Sequence, residues 1–173
     1  ENLLSITKIS DGSVKLRLSD QVVDDIISEA LRHIDRRAAE HHIAVDCGDV
    51  LLLARMDAGL IMQVLINLVN NAVKYTPVGS NIRITAIPRE NMAEICVSDN
   101  GPGIPNELKE RVFEMFFTGG NPIGDSRRSL GLGLTLCQTI VHAHHGEMTL
   151  KDNSPHGCIF SFTIPLSEVN LNE

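Results

Sequence analysis

Residues 81–99 constrain the fold more than any other stretch. Two strand-type runs, "NIRITAI" and "AEICVSD", are joined by "PREN", a connection short enough for an antiparallel hairpin. An isolated hairpin is marginal in water, so other elements must extend it and cover one face. Further strands are expected at "VKLRL" (residues 14–18), "HIAVDC", "VLLLAR", "EMTLKD" and "CIFSFTIPL". A helix of about twenty residues is expected from a Ser19 or Asp20 cap, with Val23, Ile26, Ile27, Ala30, Leu31 and Ile34 on one side. A second helix starts at Asp57 and stops before Pro77, and a third returns near Gly131 with Leu134, Leu136, Ile140 and Val141. A shorter one is expected around 105–114. This order predicts an α+β fold: a two-layer α/β sandwich, with a mixed sheet and helices on one face. The other face is then partly exposed or covered by another domain.

The 173 residues and 43% hydrophobic content suit one globular domain with a sizeable core. Residues 1–12 read as the end of a preceding helix, stopped by "SDGS", and a linker; 13–168 form the domain and 169–173 a frayed tail. The chain opens Glu1-Asn2-Leu3 without a methionine, as expected of a piece of something longer. A net charge of −7 and the lack of any Lys/Arg-rich block argue against a general nucleic-acid binder, so any basic site is local. No apolar run approaches the roughly 18 residues of a membrane span, so direct membrane contact is not expected. Cys47, Cys96, Cys137 and Cys158 are widely spaced, with no C-x-x-C pair, and read as reduced core thiols of a cytosolic protein.

The Asp57 helix contains "INLVNNAVKY", residues 66–75. Asparagine costs roughly 0.5 kcal/mol relative to alanine inside a helix, so three together need a reason. Gln63, Asn67, Asn71 and Lys74 fall on one narrow stripe, and Ile61, Leu65, Leu68 and Ala72 lie roughly opposite. A solvated face could use amides, but glutamate and lysine would serve that purpose better. Amide oxygens at i and i+4 suit Mg²⁺, which takes a few protein oxygens together with phosphates and waters, and Lys74 can balance a phosphate. "SDNGPGIP" ends a strand at Asp99 and turns through Gly101, Pro102 and Gly103. Asn-Gly and Pro-Gly mark tight turns; the same glycines let the backbone lie against a flat ligand, while Asp99 accepts from an amino group such as that of adenine. "SLGLGLTLC" opens a helix at Gly131 and Gly133, where amides can meet phosphate or merely mark a boundary. Arg127 and Arg128 just before it could reach phosphate or be loop charges. The glycine-rich stretch from Phe117 to Leu130 lacks periodicity and is expected to be a mobile loop.

In order, "NLVNNAVKYT", "SDNGPGIP", "VFEMFF" and "SLGLGL" resemble the N, G1, F and G2 boxes of the catalytic ATP-binding domain of sensor histidine kinases, over about residues 50–165. The resemblance implies a Bergerat-type (GHKL) sandwich holding ATP and Mg²⁺ under a lid at 114–130, preceded at 1–12 by the end of a dimerisation helix. It implies that Asn67 and Asn71 hold Mg²⁺, that Lys74 and Tyr75 sit by the phosphates and ribose, and that Asp99 reads adenine. Gly101, Gly103 and Ile104, with Leu130, Gly131, Leu132, Gly133 and Leu134, would shape the pocket, and Arg127 or Arg128 would meet phosphate. Within the family, "HHIAVDCGDVLLLARMDAGLIMQVLINLVNNAVKYTP" and "DSRRSLGLGLTLCQTIVHAHHGE" are similar to KdpD-type kinases. Ser129 and His145 stand where glycines are usual, and Thr118 where many relatives carry arginine.

The resemblance implies transfer of the ATP γ-phosphate to a histidine on a separate dimerisation domain, with a response regulator as the indirect partner, in the cytoplasmic part of a membrane-anchored kinase. Three other functions compete with it. Related ATP hydrolases carry a glutamate base where this chain has Asn67, which cannot accept a proton, and a degenerate nucleotide-binding module would bind without transfer. A metal-binding module, prompted by His142, His144 and His145 and by His41-His42, is disfavoured because neighbours on a helix diverge by about 100°. None of the seven histidines lies in a phosphoacceptor-like sequence; His33, followed by Ile34 and Asp35, comes nearest.

Overall fold

The computed structural model describes residues 2–115, 117 and 133–168. The hairpin forms as expected: β4 (Asn81–Arg89) pairs antiparallel with β5 (Met92–Asp99), leaving Glu90 and Asn91 as the turn. Around it a five-stranded mixed sheet runs β2-β4-β5-β7-β6, with β2 (His42–Asp46) parallel to β4 and β7 (Cys158–Pro165) antiparallel to both β5 and β6 (Met148–Asp152). Alternation decides the faces. Ile82, Ile84, Ala86, Ala93, Ile95, Val97, Phe160, Phe162 and Ile164 point into the core, whereas Arg83, Thr85, Glu94, Cys96 and Ser98 lie on the open face. Helices α3 (Ala58–Tyr75) and α4 (Gly133–Ala143) cover the apolar face, α2 (Val23–Leu31) packs on α3, and α1 (Asn2–Ser10) packs on α4 with Ile6 and Ile9 buried.

α3 starts at Asp57, whose carboxylate accepts from Leu60 N at 3.2 Å and from Arg17 N at 3.0 Å. It ends at Tyr75, just before Thr76-Pro77. Three local expectations are corrected. Residues 14–18 are not a strand, because Val14 N donates to Lys8 O and Arg17 N to the Asp57 carboxylate, leaving no ladder. Ser19 and Asp20 do not cap a helix. They belong to β1 (Ser19–Val22), which pairs with β3 (Leu53–Met56) in a separate two-stranded sheet, and Asp20 accepts from Ser167 Oγ. The helix after it is nine residues long, not twenty, and starts from Val22 with no side-chain cap. The helix expected around 105–114 is two 3-10 turns, Asn106–Leu108 and Arg111–Phe113. All four cysteines are free. No helix among the described residues is long and apolar enough to cross a membrane.

Candidate functional site

The asparagine stripe of α3 is half-buried at Gln63, Asn67, Asn71 and Lys74, while Ile61, Val64, Leu65, Leu68, Val69, Ala72 and Val73 on the other side enter the core. The third asparagine has a structural use that the pattern did not disclose: Asn70 Oδ1 accepts from Asp35 N at 2.7 Å and anchors the chain beyond α2. Asn67 differs. Its Nδ2 is buried and, among the described residues, makes no hydrogen bond of acceptable geometry; the nearby Cys137 thiol of α4, which burial pushes up to about 12, is at most a weak, poorly aligned acceptor for it. An enclosed, unpaired amide costs about 1–3 kcal/mol. Buried polar groups are normally paired, so this amide is an exception within the stripe.

Asp99 ends β5 with 9% of its surface exposed. Its Oδ1 accepts from Gly101 N at 2.9 Å and Cys158 N at 3.3 Å, and among the described residues Oδ2 accepts nothing. Burial raises its pKa, and the two backbone donors oppose that rise. Two glycines in the turn after it are fixed for different reasons: a Cβ on Gly101 would stand 2.6 Å from Thr76 Cγ2, and Gly103 has φ +81°, a conformation that disfavours a side chain. Asn100 Oδ1 accepts from Asn81 N at 2.8 Å and pins the turn to the start of β4. An open cleft of about 760 Å³ lies between this turn and the C-terminal end of α3, with Lys74, Tyr75, Thr76, Gly101, Pro102 and His156 in its wall. Lys74 Nζ stands 5.2 Å from the Tyr75 ring centroid, and Tyr75 is half exposed.

The structure thus brings Lys74, Tyr75 and Gly101 to one cleft, with Asp99 and Gly103 in the turn beside it and Asn67 and Asn71 further back along the same helix. Ile104 and Leu134 do not stand in the cleft wall; both pack against the core from its rim, and Lys109 Nζ holds Ile104 O at 2.9 Å. Gly133 is the first residue of α4, with open space where a Cβ would be. Arg127, Arg128, Leu130, Gly131 and Leu132, with Thr118 and Ser129 and most of the expected lid, lie outside the described residues. Phe113 of the third motif packs edge-on to Phe160, 6.2 Å between centroids.

Residues the sequence reading passed over support the turn from behind. Asn153 Nδ2 donates to Asp99 O at 2.8 Å, His156 Nδ1 bonds Gly101 O at 3.0 Å, and a Cβ on Gly157 would fall 1.9 Å from Asp99 O. Their only signal was "NSPHG", which reads as a loop between strands. His41 Nε2 reaches Thr76 Oγ1 at 2.9 Å. The clustered histidines of α4 diverge as helical spacing requires: His142 and His145 are exposed and His144 is buried. Among the described residues no three His, Cys, Asp or Glu side chains come together to hold a metal.

This chain belongs to the family of histidine kinase-, DNA gyrase B- and HSP90-like ATPases, whose sequence profile matches residues 56–168. Within that family its relatives are sensor histidine kinases, and the domain is of their ATP-using catalytic type. The sensor protein KdpD of Clostridium acetobutylicum is 38% identical over 165 residues, 95% of this chain and 18% of that protein. The adaptive-response sensory kinase SasA of a Synechocystis species is 30% identical over 169 residues, 96% of this chain and 44% of that protein. This chain therefore spans less than half the length of either relative. The catalytic domain of histidine kinase ThkA superposes with a TM-score of 0.76 at 29% identity, covering 87% of this chain and 96% of that one. ThkA has also been solved in complex with the response regulator TrrA; that kinase superposes at 0.73, again at 29% identity, over 95% of this chain and 47% of its own.

Proposed function

We propose that this domain binds Mg²⁺-ATP in the cleft beside α3 and transfers the γ-phosphate to a histidine on the dimerisation domain of its parent kinase, which then serves a response regulator. The carrying observation is Asp99: one carboxylate oxygen is fixed by two backbone N–H groups, and the other accepts nothing from the described protein. Such an oxygen is set to accept from an exocyclic amino group, and Gly101 and Gly103 let the backbone lie against the ring. The amides of Asn67 and Asn71 suit the phosphate end. Their oxygens are neutral ligands for a hard cation, and their nitrogens can donate to phosphate. Bound Mg²⁺ would offset charge on the phosphates during transfer. Lys74, on the same face, adds a positive charge, and the protein's part is to position the nucleotide and exclude alternatives. Hydrolysis is disfavoured because Asn67 supplies no base for water. The reading extends to a domain working on the cytoplasmic side of a membrane-anchored parent, with residues 1–12 as the end of the dimerisation helix.

Calorimetry with ADP and Mg²⁺ tests the site. Asn71→Ala should abolish the magnesium-dependent part of binding, since no carboxylate lies on the stripe to replace it. Unchanged affinity and magnesium dependence would refute the stripe assignment. Labelled ATP should leave this chain unmarked and label a separate helical fragment of the parent that carries the acceptor histidine; strong self-labelling or rapid hydrolysis would overturn the mechanism.

A further inference from the structure

His156 is the cleft residue for which neither the motifs nor the core offers a use. It lies on the loop between β6 and β7, and its Nδ1 stands 3.0 Å from Gly101 O. A carbonyl oxygen only accepts, so Nδ1 carries the proton and donates. Both backbone groups of Gly101 are then engaged, because its N–H is already given to Asp99 Oδ1. The loop that brings His156 there is itself fixed to the same turn. Asn153 Nδ2 donates to Asp99 O, Cys158 N donates to Asp99 Oδ1, and the bare Gly157 lies against the Asp99 carbonyl. On the opposite side the Thr76 methyl touches the place where a Gly101 side chain would be.

We infer that His156 is a positioning residue for base recognition: through the Gly101 carbonyl it holds the turn that fixes the Asp99 carboxylate beside the cleft. The inference rests on the nucleotide reading above. If the bond to Gly101 O is released, the Gly101–Pro102 peptide can rotate, the position of Gly101 is less well fixed, and its N–H holds Asp99 Oδ1 less firmly. The loss should fall on adenine nucleotides and leave guanine nucleotides nearly unchanged, because phosphate contacts depend on α3 and not on this turn.

The imidazole atom responsible can be separated from the rest of the ring. Asparagine places an amide N–H where Nδ1 stands, whereas glutamine reaches only toward the Nε2 position. ADP and GDP, each with Mg²⁺, are titrated by calorimetry into the wild-type chain and into His156→Ala, His156→Asn and His156→Gln. We expect His156→Ala to lower ADP affinity about five-fold, the equivalent of one ordinary hydrogen bond, and to narrow the ADP-to-GDP ratio by a similar factor. His156→Asn should restore both and His156→Gln neither. A merely stabilising histidine would shift the melting temperature of the variants and leave the ratio alone. An unchanged ratio in His156→Ala, or rescue by Gln as good as by Asn, overturns the inference. Failure of the wild-type chain to bind either nucleotide instead overturns the nucleotide reading on which it stands.

Discussion

Two buried polar side chains, His144 and Asp99, lie in opposite regions of the fold and are treated in opposite ways. His144 is 3% exposed; its Nδ1 donates to Ile140 O at 2.8 Å, and its Nε2 accepts from Asp57 N at 3.0 Å. Both ring nitrogens are satisfied by backbone, and the neutral imidazole joins the C-terminal end of α4 to the N-cap of α3. Asp99 is 9% exposed, yet one of its oxygens accepts nothing among the described residues, and the amide nitrogen of Asn67 is likewise unpaired. Buried polar groups are normally paired, so the contrast sets a junction finished by the fold against polar groups that, on the reading proposed above, await a ligand.

Exchanging the losses gives the sharpest test. His144→Ala leaves Asp57 N and Ile140 O without their partner and opens a cavity, which should cost about 2–4 kcal/mol of stability. Nucleotide affinity, measured well below the melting temperature, should stay within about two-fold of wild type. Asp99→Asn should do the reverse. It removes a carboxylate whose ionisation burial opposes, so the melting temperature holds or rises. Adenine-nucleotide affinity should fall about ten-fold or more, with a smaller loss for guanine nucleotides. A large stability loss in Asp99→Asn, or a binding loss confined to His144→Ala, would break the contrast.

Acid should act on the two groups with opposite signs. Burial lowers the His144 pKa below the ordinary 6.5; the Ile140 carbonyl and the Asp57 carboxylate oppose the shift and His145 reinforces it. The unfolded chain then binds the proton first, so stability is complete above 6.5 and falls as pH drops from there toward the lowered value. Asp99 is shifted upward from 3.8, so in the window just above 3.8 its contribution makes stability fall as pH rises. Each pH unit inside either window is worth up to about 1.4 kcal/mol. Chemical denaturation between pH 7 and pH 5.5 should show a decline in wild type that His144→Ala flattens and Asp99→Asn leaves intact. An equal decline in both variants would assign the acid sensitivity elsewhere.

The hairpin, the Asp57 cap and the core face of α3 were legible because each is decided locally, by alternation, a capping residue or a 3.6-residue period. That Lys74, Tyr75 and Gly101 share a cleft, with Asp99 beside it and Asn67 and Asn71 further back on α3, could be anticipated because helix and turn carry them in short runs. What escaped was decided between distant segments. Asp20 looked like a cap but pairs across to Arg55 and receives Ser167; Asn70 looked like part of the amide face but holds Asp35. Asn153, His156 and Gly157 meet Asp99 and Gly101 from more than fifty residues away in sequence, with no periodicity to announce them.

The smallest expected effect lies at the finished junction, one residue past His144. His145 has φ +64°, in the left-handed region that disfavours a side chain. It ends α4 in a Schellman arrangement: His145 N donates to His142 O and Gly146 N to Val141 O, each at 3.0 Å. Glycine is the usual residue at that place, and the His145 side chain is exposed. His145→Gly should therefore stabilise the domain by about 0.5–1 kcal/mol, the relief of the left-handed strain exceeding the extra freedom glycine gives the unfolded chain. A second consequence ties the substitution to its neighbour. His145 is one of the charges that lower the His144 pKa, so its removal should let that pKa rise and make the acid-side decline slightly shallower. Glu90, at φ +58° in the hairpin turn, provides the control: Glu90→Gly should stabilise by a similar amount without altering the acid response. If His145→Gly destabilised the protein while Glu90→Gly did not, the histidine would be making a contact that holds the end of α4, and the junction would depend on both histidines rather than on His144 alone.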